Sequence, residues 1–585
     1  MHLSHIFGWN SASEAKSEYV GAGFDSEVQH GRRRTPRFAR TRTYLLKVVL
    51  PIGIFIFVTA TILSSLFPSE AVWLLNGGKS ERAISRSQLE DLEPPSHVDA
   101  GGSRRLRLFM PADGPNINLC KTIMSAVALG YPMPTLLNWN GEFNRPDWHF
   151  AGSHIAKLES LLAVIDNIYE EDEDVNENDL ALLVDAYDIW FQLPPSVLIE
   201  RFHKLNRDAD ARVAKEWDEH GFKDEFPIPP PKQNIIVTTA KDCQPDWESG
   251  SNPRYEYWPD SPLPSDFYGE GTDEIIPYVF DSARKYKKIR PRCVNSGMIM
   301  GTIGALRGAL QKAKDKVDRT AMNGRQLWSD QALFAEVIGD QEMWRYWMRG
   351  LVSTWNGTAS HDNPRRLPAE VRQLADEALD GESFEFGIGL DYEFATIPPT
   401  CSSEDDGFFV KLNDAEAVKK ESEKAGVPDG VRVKGIPSEL KDADGPLPGL
   451  GSSWGNVPLY TDFFFGTSPV GIHHNAYVFG LKPWRLEHWW SMTWFYPYLR
   501  GLVTNALRSN RKLTPLARLS IDGDEGSEMV YWASKESESE KRVMVFDGSN
   551  EKERFAPISW DGVCQKGSTK WYDVLFGDNE GPLEA

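Results

Sequence analysis

The chain has 585 residues, 41% of them hydrophobic, and a formal net charge of −21. That hydrophobic share suits a buried core, while the acidity excludes a basic nucleic-acid-binding surface. The length admits two to four average domains, or one domain enlarged by insertions.

Charge is distributed unevenly along the chain. Within the first 47 residues, Arg32, Arg33, Arg34, Arg37, Arg40, Arg42 and Lys47 form a basic cluster. Residues 48–67 follow, VVLPIGIFIFVTATILSSLF, twenty residues without a charge. At about 1.5 Å per residue a helix of that length spans a hydrocarbon core of roughly 30 Å. The run is too long, and starts too far from Met1, for a cleaved signal peptide. With the arginines before it, the positive-inside rule predicts a cytosolic tail (1–47), a transmembrane signal anchor (48–67) and the remaining chain across the membrane. The expected localisation is the Golgi or endoplasmic reticulum membrane, as a single-pass type II protein with a lumenal catalytic domain. Residues 68–105, with GGKS, EPPS and AGGS stretches, read as a stem.

A folded domain is expected over residues 106–508. Residues 106–112 and 134–139 read as strands, and 116–130 and 154–168 as helices. After a solvated acidic run at 170–174 comes LALLVDAYDIWF, residues 180–191. The order strand–helix–strand–helix–strand predicts an α/β fold with a mostly parallel sheet flanked by helices. Further on, an amphipathic helix runs to about residue 219, and residues 234–241 and 293–301 read as buried strands. Glycines interrupt the second of these, as where a ligand or another backbone comes close. Helices are expected at 303–317 and 329–338, and an alternating strand at 384–394. Residues 402–451 predict a mobile insertion, residues 459–494 are dense in aromatics, and 509–585 form an acidic, weakly patterned region.

Five cysteines, Cys120, Cys243, Cys293, Cys401 and Cys564, have no zinc-site spacing. Cys243 and Cys293 follow two adjacent strand-like segments, which predicts a bridge across the sheet rim with Cys120 and Cys564 less constrained. Asn356-Gly357-Thr358 is a glycosylation sequon, whose modification requires lumenal exposure.

Two stretches gather charge suited to chemistry. The buried run at 180–184 ends in Asp185-Ala186-Tyr187-Asp188, at the strand terminus where open α/β sheets bind ligands. Two carboxylates three residues apart on a turn can face one hard cation, and a cation there can hold a diphosphate. For an isolated DxxD, a capping aspartate and a solvated one is the commoner outcome. The second stretch is Gly471-Ile472-His473-His474-Asn475, followed by Gly480-Leu481-Lys482-Pro483-Trp484. A single histidine is most often a core residue. An imidazole can also complete a carboxylate–metal site, and a lysine can neutralise phosphate oxygens. Asp391 ends an apolar strand, and either orients a substrate hydroxyl or serves a turn. The aromatics between 484 and 498 stack sugars or, more commonly, pack a core.

Asp185-Ala186-Tyr187-Asp188 resembles the metal motif of the glycosyltransferase domains in collagen lysyl hydroxylases and collagen galactosyltransferases. The resemblance continues through Ala240-Lys241-Asp242-Cys243, Asn295-Ser296-Gly297, Ser329-Asp330-Gln331-Ala332-Leu333-Phe334 and His473-His474-Asn475, in the family's order. The ending at Gly480–Trp484 is also similar to glycogenin-like transferases, and the whole chain resembles membrane-anchored fungal glycosyltransferases. The resemblance implies a GT-A-like fold and a UDP-sugar donor. It implies Mn²⁺ or Mg²⁺ held by Asp185, Asp188 and His473, with transfer, most simply of a hexose, to a glycan or glycoprotein acceptor. His154, Lys157, Asn295, Gly297 and Lys482 would serve the nucleotide, and Asp330 the acceptor side. This chain departs from the family at His474, which stands in place of a glycine, and at Ser329, in place of an aspartate. Both histidines therefore stay open as the third ligand. A catalytically inactive scaffold or chaperone is the second reading, and a metallohydrolase of phosphate esters the third.

Overall fold

The run Leu180–Val184 needs cover on both sides. Leu180, Leu182 and Val184 enter one apolar cluster, Ala181 and Leu183 another, because successive side chains of a strand point to opposite faces. A strand apolar at every position is stable only between two layers of helices, and the computed structural model supplies them. It describes residues 83–92, 101–148, 152–171, 175–222, 225–243, 249–275, 285–355, 359–360, 367–447, 451–509, 514–520, 528–535, 541–550 and 552–583. All of these belong to one unit, Glu81–Ala585.

In chain order the strands are β1 Ala83–Ile84, β2 Gly102–Pro111, β3 Thr135–Leu137, β4 Leu180–Val184, β5 Ile189–Phe191 and β6 Ile235–Ala240. They continue as β7 Cys293–Thr302, β8 Ala359–Ser360, β9 Ile388–Asp391, β10 Gly407–Val410, β11 Leu459–Asp462 and β12 Gly471–His473. The last four are β13 Ala517–Ser520, β14 Glu528–Ala533, β15 Val543–Phe546 and β16 Phe555–Ile558. The main sheet has ten strands in the order β16-β15-β3-β2-β4-β7-β6-β9, with β14 beside β2 and β13 beside β14. β15, β3, β2, β4 and β14 run parallel to one another, as do β6 and β9. β7 is antiparallel to β4 and β6, and β13 and β16 are antiparallel edges. The sheet is thus mixed but largely parallel, as the alternation of elements predicts.

Five helices cover it. α1 (Ile117–Ala128), capped by Asn116, and α3 (Pro195–Glu219) pack into the cluster under Leu182. α2 (Gly152–Glu171), α4 (Ile303–Met322) and α5 (Asp330–Thr354) pack into the cluster under Leu183. α5 runs far beyond the expected 329–338, because its second half buries Trp344 and Trp347 in a third apolar cluster.

Three expectations need correction. The stretch taken as a loose insertion is built into the fold: β10 pairs with β11, and Ser402, Ser403, Glu404 and Asp406 are buried. The acidic C-terminal stretch does not stand apart, since β14 and β15 extend the sheet from β2 and β3. Cys564 is disulfide-bonded to Cys120 of α1, while Cys243 bonds Cys293 as expected and Cys401 is buried and unbonded. The expected single-pass membrane topology is the third. No helix among the described residues is long and apolar enough to cross a membrane. The two longest, α3 and α5, carry charged residues along their length, as helices with one solvated face do. Residues 48–67 and the sequon at Asn356 lie outside the described residues.

Candidate metal centre

β4 ends at Val184, and the turn that follows carries Asp185 and Asp188 before β5 begins. β12 pairs antiparallel with β5, setting His473 opposite Ile189, and His474 N donates to Asp188 O at 2.7 Å. A backbone ladder therefore delivers the histidine to the carboxylates. His473 Nε2 lies 3.5 Å from Asp185 Oδ2 and 3.3 Å from Asp188 Oδ2. The three ligand atoms all fall within 4.8 Å of one another. Two carboxylates and one imidazole form a donor set that can hold a divalent cation.

β7 supports this cluster from below. Its register against β6 jumps between Val237, opposite Ile299, and Thr238, opposite Asn295. Ser296, Gly297 and Met298 bulge at that point, and a bulge re-aims the residues around it. Gly297 O accepts from Asp185 N at 2.9 Å. The His473 ring lies so close over Gly297 that a Cβ there would meet Cε1 at 2.3 Å and Nδ1 at 2.4 Å. Asn295 Oδ1 accepts from Gly297 N at 3.1 Å and lies 3.2 Å from His473 Nδ1. Gln331 Oε1 accepts from Asn295 Nδ2 at 3.2 Å, which turns the amide oxygen toward the histidine. With a cation bound, Nδ1–H would be donated to Asn295 and Nε2 would present its lone pair to the ion. Gln331 is the supporting residue that sequence reasoning left without a role, and its place one residue after Asp330 was the available signal.

Each carboxylate has an ammonium partner. Lys482 Nζ sits 2.6 Å from Asp188 Oδ2 and stays partly exposed at the start of α6 (Leu481–His488). Burial opposes charge on Asp188, yet His473 and Lys482 outweigh it and hold its carboxyl well below the usual range. Lys157 of α2 is buried, and its Nζ bridges Asp185 Oδ1 at 2.6 Å, Asp330 Oδ2 at 3.0 Å and Ser296 O at 2.6 Å. Burial disfavours its ammonium form, but Asp185 and Asp330 overcome that and raise its pKa. A lysine so enclosed spends its donors on Asp185, Asp330 and the Ser296 carbonyl, where a place near the nucleotide was expected for it.

Asp330 opens α5. Ser329, where the resembling family has an aspartate, is its N-cap, accepting from Ala332 N at 3.2 Å. Ser296 Oγ donates to Asp330 Oδ2 at 2.8 Å, and His154 Nδ1 lies 3.9 Å from Oδ1 on the exposed side. Burial works against ionised Asp330, but Lys157 and then His154 hold its carboxyl below the ordinary value.

Two candidates fall away. Asp391 is fully buried at the end of β9, where it accepts from Glu393 N, Ala395 N, Thr396 N and Thr396 Oγ1. It organises a turn and is not the substrate-orienting carboxylate that was one reading of it. His474 points away from the metal cluster, its ring 4.0 Å from that of Trp190 and 5.8 Å from that of Trp489. Burial keeps it neutral by pushing its pKa well below the usual histidine value. The choice between the two histidines therefore falls on His473. Trp489, Trp490, Trp494 and Phe495 are core residues. Compared with known proteins, the chain matches no protein-family model and no curated protein.

Proposed function

We propose that the chain is a GT-A-like, metal-assisted glycosyltransferase. It moves a glycosyl unit, most simply a hexose, from a UDP-sugar to a hydroxyl on a glycan or glycoprotein. The observation that carries the reading is the Asp185–Asp188–His473 cluster beside Lys482, at the C-terminal rim of a largely parallel sheet, where such sheets bind their ligands.

The donor's C1–oxygen bond breaks and its electron pair leaves on the diphosphate, while the acceptor oxygen bonds to C1 and its proton passes to solvent. Negative charge grows on the leaving group. Bound Mn²⁺ or Mg²⁺ supplies counter-charge there, and Asp185, Asp188 and His473 are the residues that would hold it. Lys482, the exposed ammonium of the site, donates to phosphate oxygens. Lys157 fixes Asp185 against Asp330, and Asp330, with His154 at its outer edge, orients the acceptor hydroxyl.

Calorimetry with UDP, with and without Mn²⁺, combined with UDP release from UDP-sugars, tests this. UDP binding is expected to require Mn²⁺. Asp188→Asn nearly preserves side-chain volume, so the fold should survive, with a melting temperature lowered by the loss of the ion pairs to His473 and Lys482. UDP release should fall roughly 10²–10³-fold, the usual scale for losing one charge-stabilising group. Metal-independent UDP binding would overturn the reading. Metal-dependent binding without transfer to any acceptor would leave the inactive scaffold.

A further inference from the structure

The chain that leaves β12 forms a strap with both ends pinned to one buried segment. At the near end, Thr400 N donates to His473 O at 3.1 Å and Cys401 N to Asn475 Oδ1 at 3.0 Å. At the far end, Arg485 is buried and donates to Thr400 Oγ1 at 2.9 Å and to Glu404 O at 2.8 Å. Asn475 and Arg485 therefore both rest on residues 400–404. Between them two side chains tie the strap down, and each ends on a carboxylate. Tyr477 Oη donates to Asp242 Oδ1 at 2.8 Å, and Lys482 Nζ lies 2.6 Å from Asp188 Oδ2.

The rest of the strap faces outward. Ten large apolar side chains are exposed among the described residues, and four of them, Tyr477, Val478, Phe479 and Trp484, lie here. Phe479 is fully exposed. Apolar side chains gathered on a surface in this way mark a place that something covers. The chain turns at Gly480, whose φ of 77° lies in the left-handed region that glycine enters without strain.

Lys482 sits on an oxygen that the metal centre needs. Asp188 Oδ2 is also the atom 3.3 Å from His473 Nε2, so a divalent cation between Asp188 and His473 contends with the ammonium for it. Like charges a few ångströms apart repel. Asp188 and His473 are buried on strands and their turn, whereas Lys482 is partly exposed on the strap and is free to leave.

We propose that residues 475–485 are a strap released by the cation, with Lys482 as its latch, and that it closes over the nucleoside diphosphate the cation carries. This rests on the metal and donor reading above and is independent of any acceptor. Off Asp188, Lys482 becomes available to phosphate oxygens. Phe479 and Val478 then gain an apolar surface to cover and exclude water from the ligand.

The test uses the full chain with Mn²⁺ alone and then with UDP added. Free Mn²⁺ is followed by electron paramagnetic resonance, and chymotryptic cleavage after Phe479 by mass spectrometry. Mn²⁺ is expected to speed that cleavage severalfold, and UDP to slow it below the rate of the untreated chain. Lys482→Met should bind Mn²⁺ about fivefold more tightly and be cleaved rapidly with or without the ion. Phe479→Ala should bind Mn²⁺ as the wild type does and hold UDP about fivefold more weakly. Mn²⁺ binding that leaves the cleavage unchanged, or a Lys482→Met variant with equal or weaker Mn²⁺ affinity, would overturn the strap alone. A wild type that binds no Mn²⁺ would sink the metal reading itself, and the strap with it.

Discussion

Gly297 shows how little room the site leaves a single residue. Its backbone conformation is open to any residue, so the constraint is space: the His473 ring occupies the volume of a side chain there. Gly297→Ala should therefore push the imidazole off the carboxylates while leaving the core intact. Mn²⁺ affinity, followed by electron paramagnetic resonance of the free ion, should fall roughly 10–100-fold, as for the loss of a ligand-orienting contact. Unchanged affinity would mean that His473 is not a ligand. Lys157 makes the complementary point about charge. Burying an ammonium is costly on its own, and it is tolerated here because two carboxylates and a carbonyl surround it.

Among the elements, the ladder between β5 and β12 fixes one half of the site and the bulge of β7 fixes the other. α5 adds Asp330 and Gln331 from its first turn, held in place by the Ser329 cap. Ser329 supplies this helix start through its hydroxyl. The C-terminal elements act at a distance. Cys564, closing the short helix Trp560–Cys564, is bonded to Cys120 in α1 at a sequence separation of 444. A crosslink over so long a loop restricts the unfolded chain strongly. Cys564→Ser should cost about 2–5 kcal/mol, read from the denaturant midpoint. A midpoint equal to wild type would show that the tail is held by strand pairing alone.

On the scale of the whole molecule, titration has opposite signs in different places. The lowered carboxyls of Asp188 and Asp330 contribute stability above the ordinary carboxylate pKa that is lost as pH falls. Asp462, at the end of β11, behaves in the reverse way. Burial, with Asp406 beside it, pushes its carboxyl up to about 7. A raised pKa means a contribution fully present below the unfolded value of about 3.9 and lost as pH rises through about 7. Asp462→Asn removes that titration, and its amide oxygen can still accept from Phe464 N and Phe465 N. The variant should melt above wild type at pH 8, by an amount worth about 1 kcal/mol or more, with the gap closing toward pH 4. Parallel melting curves across that range would remove Asp462 from the account.

The sequence by itself determined the α/β alternation, the fully buried β4 and the two carboxylates of the candidate metal site. Each is a local pattern: an apolar run with no polar face, then carboxylates where that run ends. The bridge between Cys243 and Cys293 was legible for a similar reason, since the first follows one strand-like segment and the second opens the next. What the tertiary structure alone decided was which of two adjacent histidines serves the site. His473 and His474 are chemically identical, and only the register of β12 on β5 turns one toward Asp188 and the other toward Trp190. Asp391 likewise looks like any carboxylate at a strand end until four donors close around it. The weak pattern beyond Arg508 concealed strands that are completed by partners far back in the chain, at β2 and β3. Strand pairing is non-local, so a segment whose stability comes from distant neighbours carries little of it in its own residues.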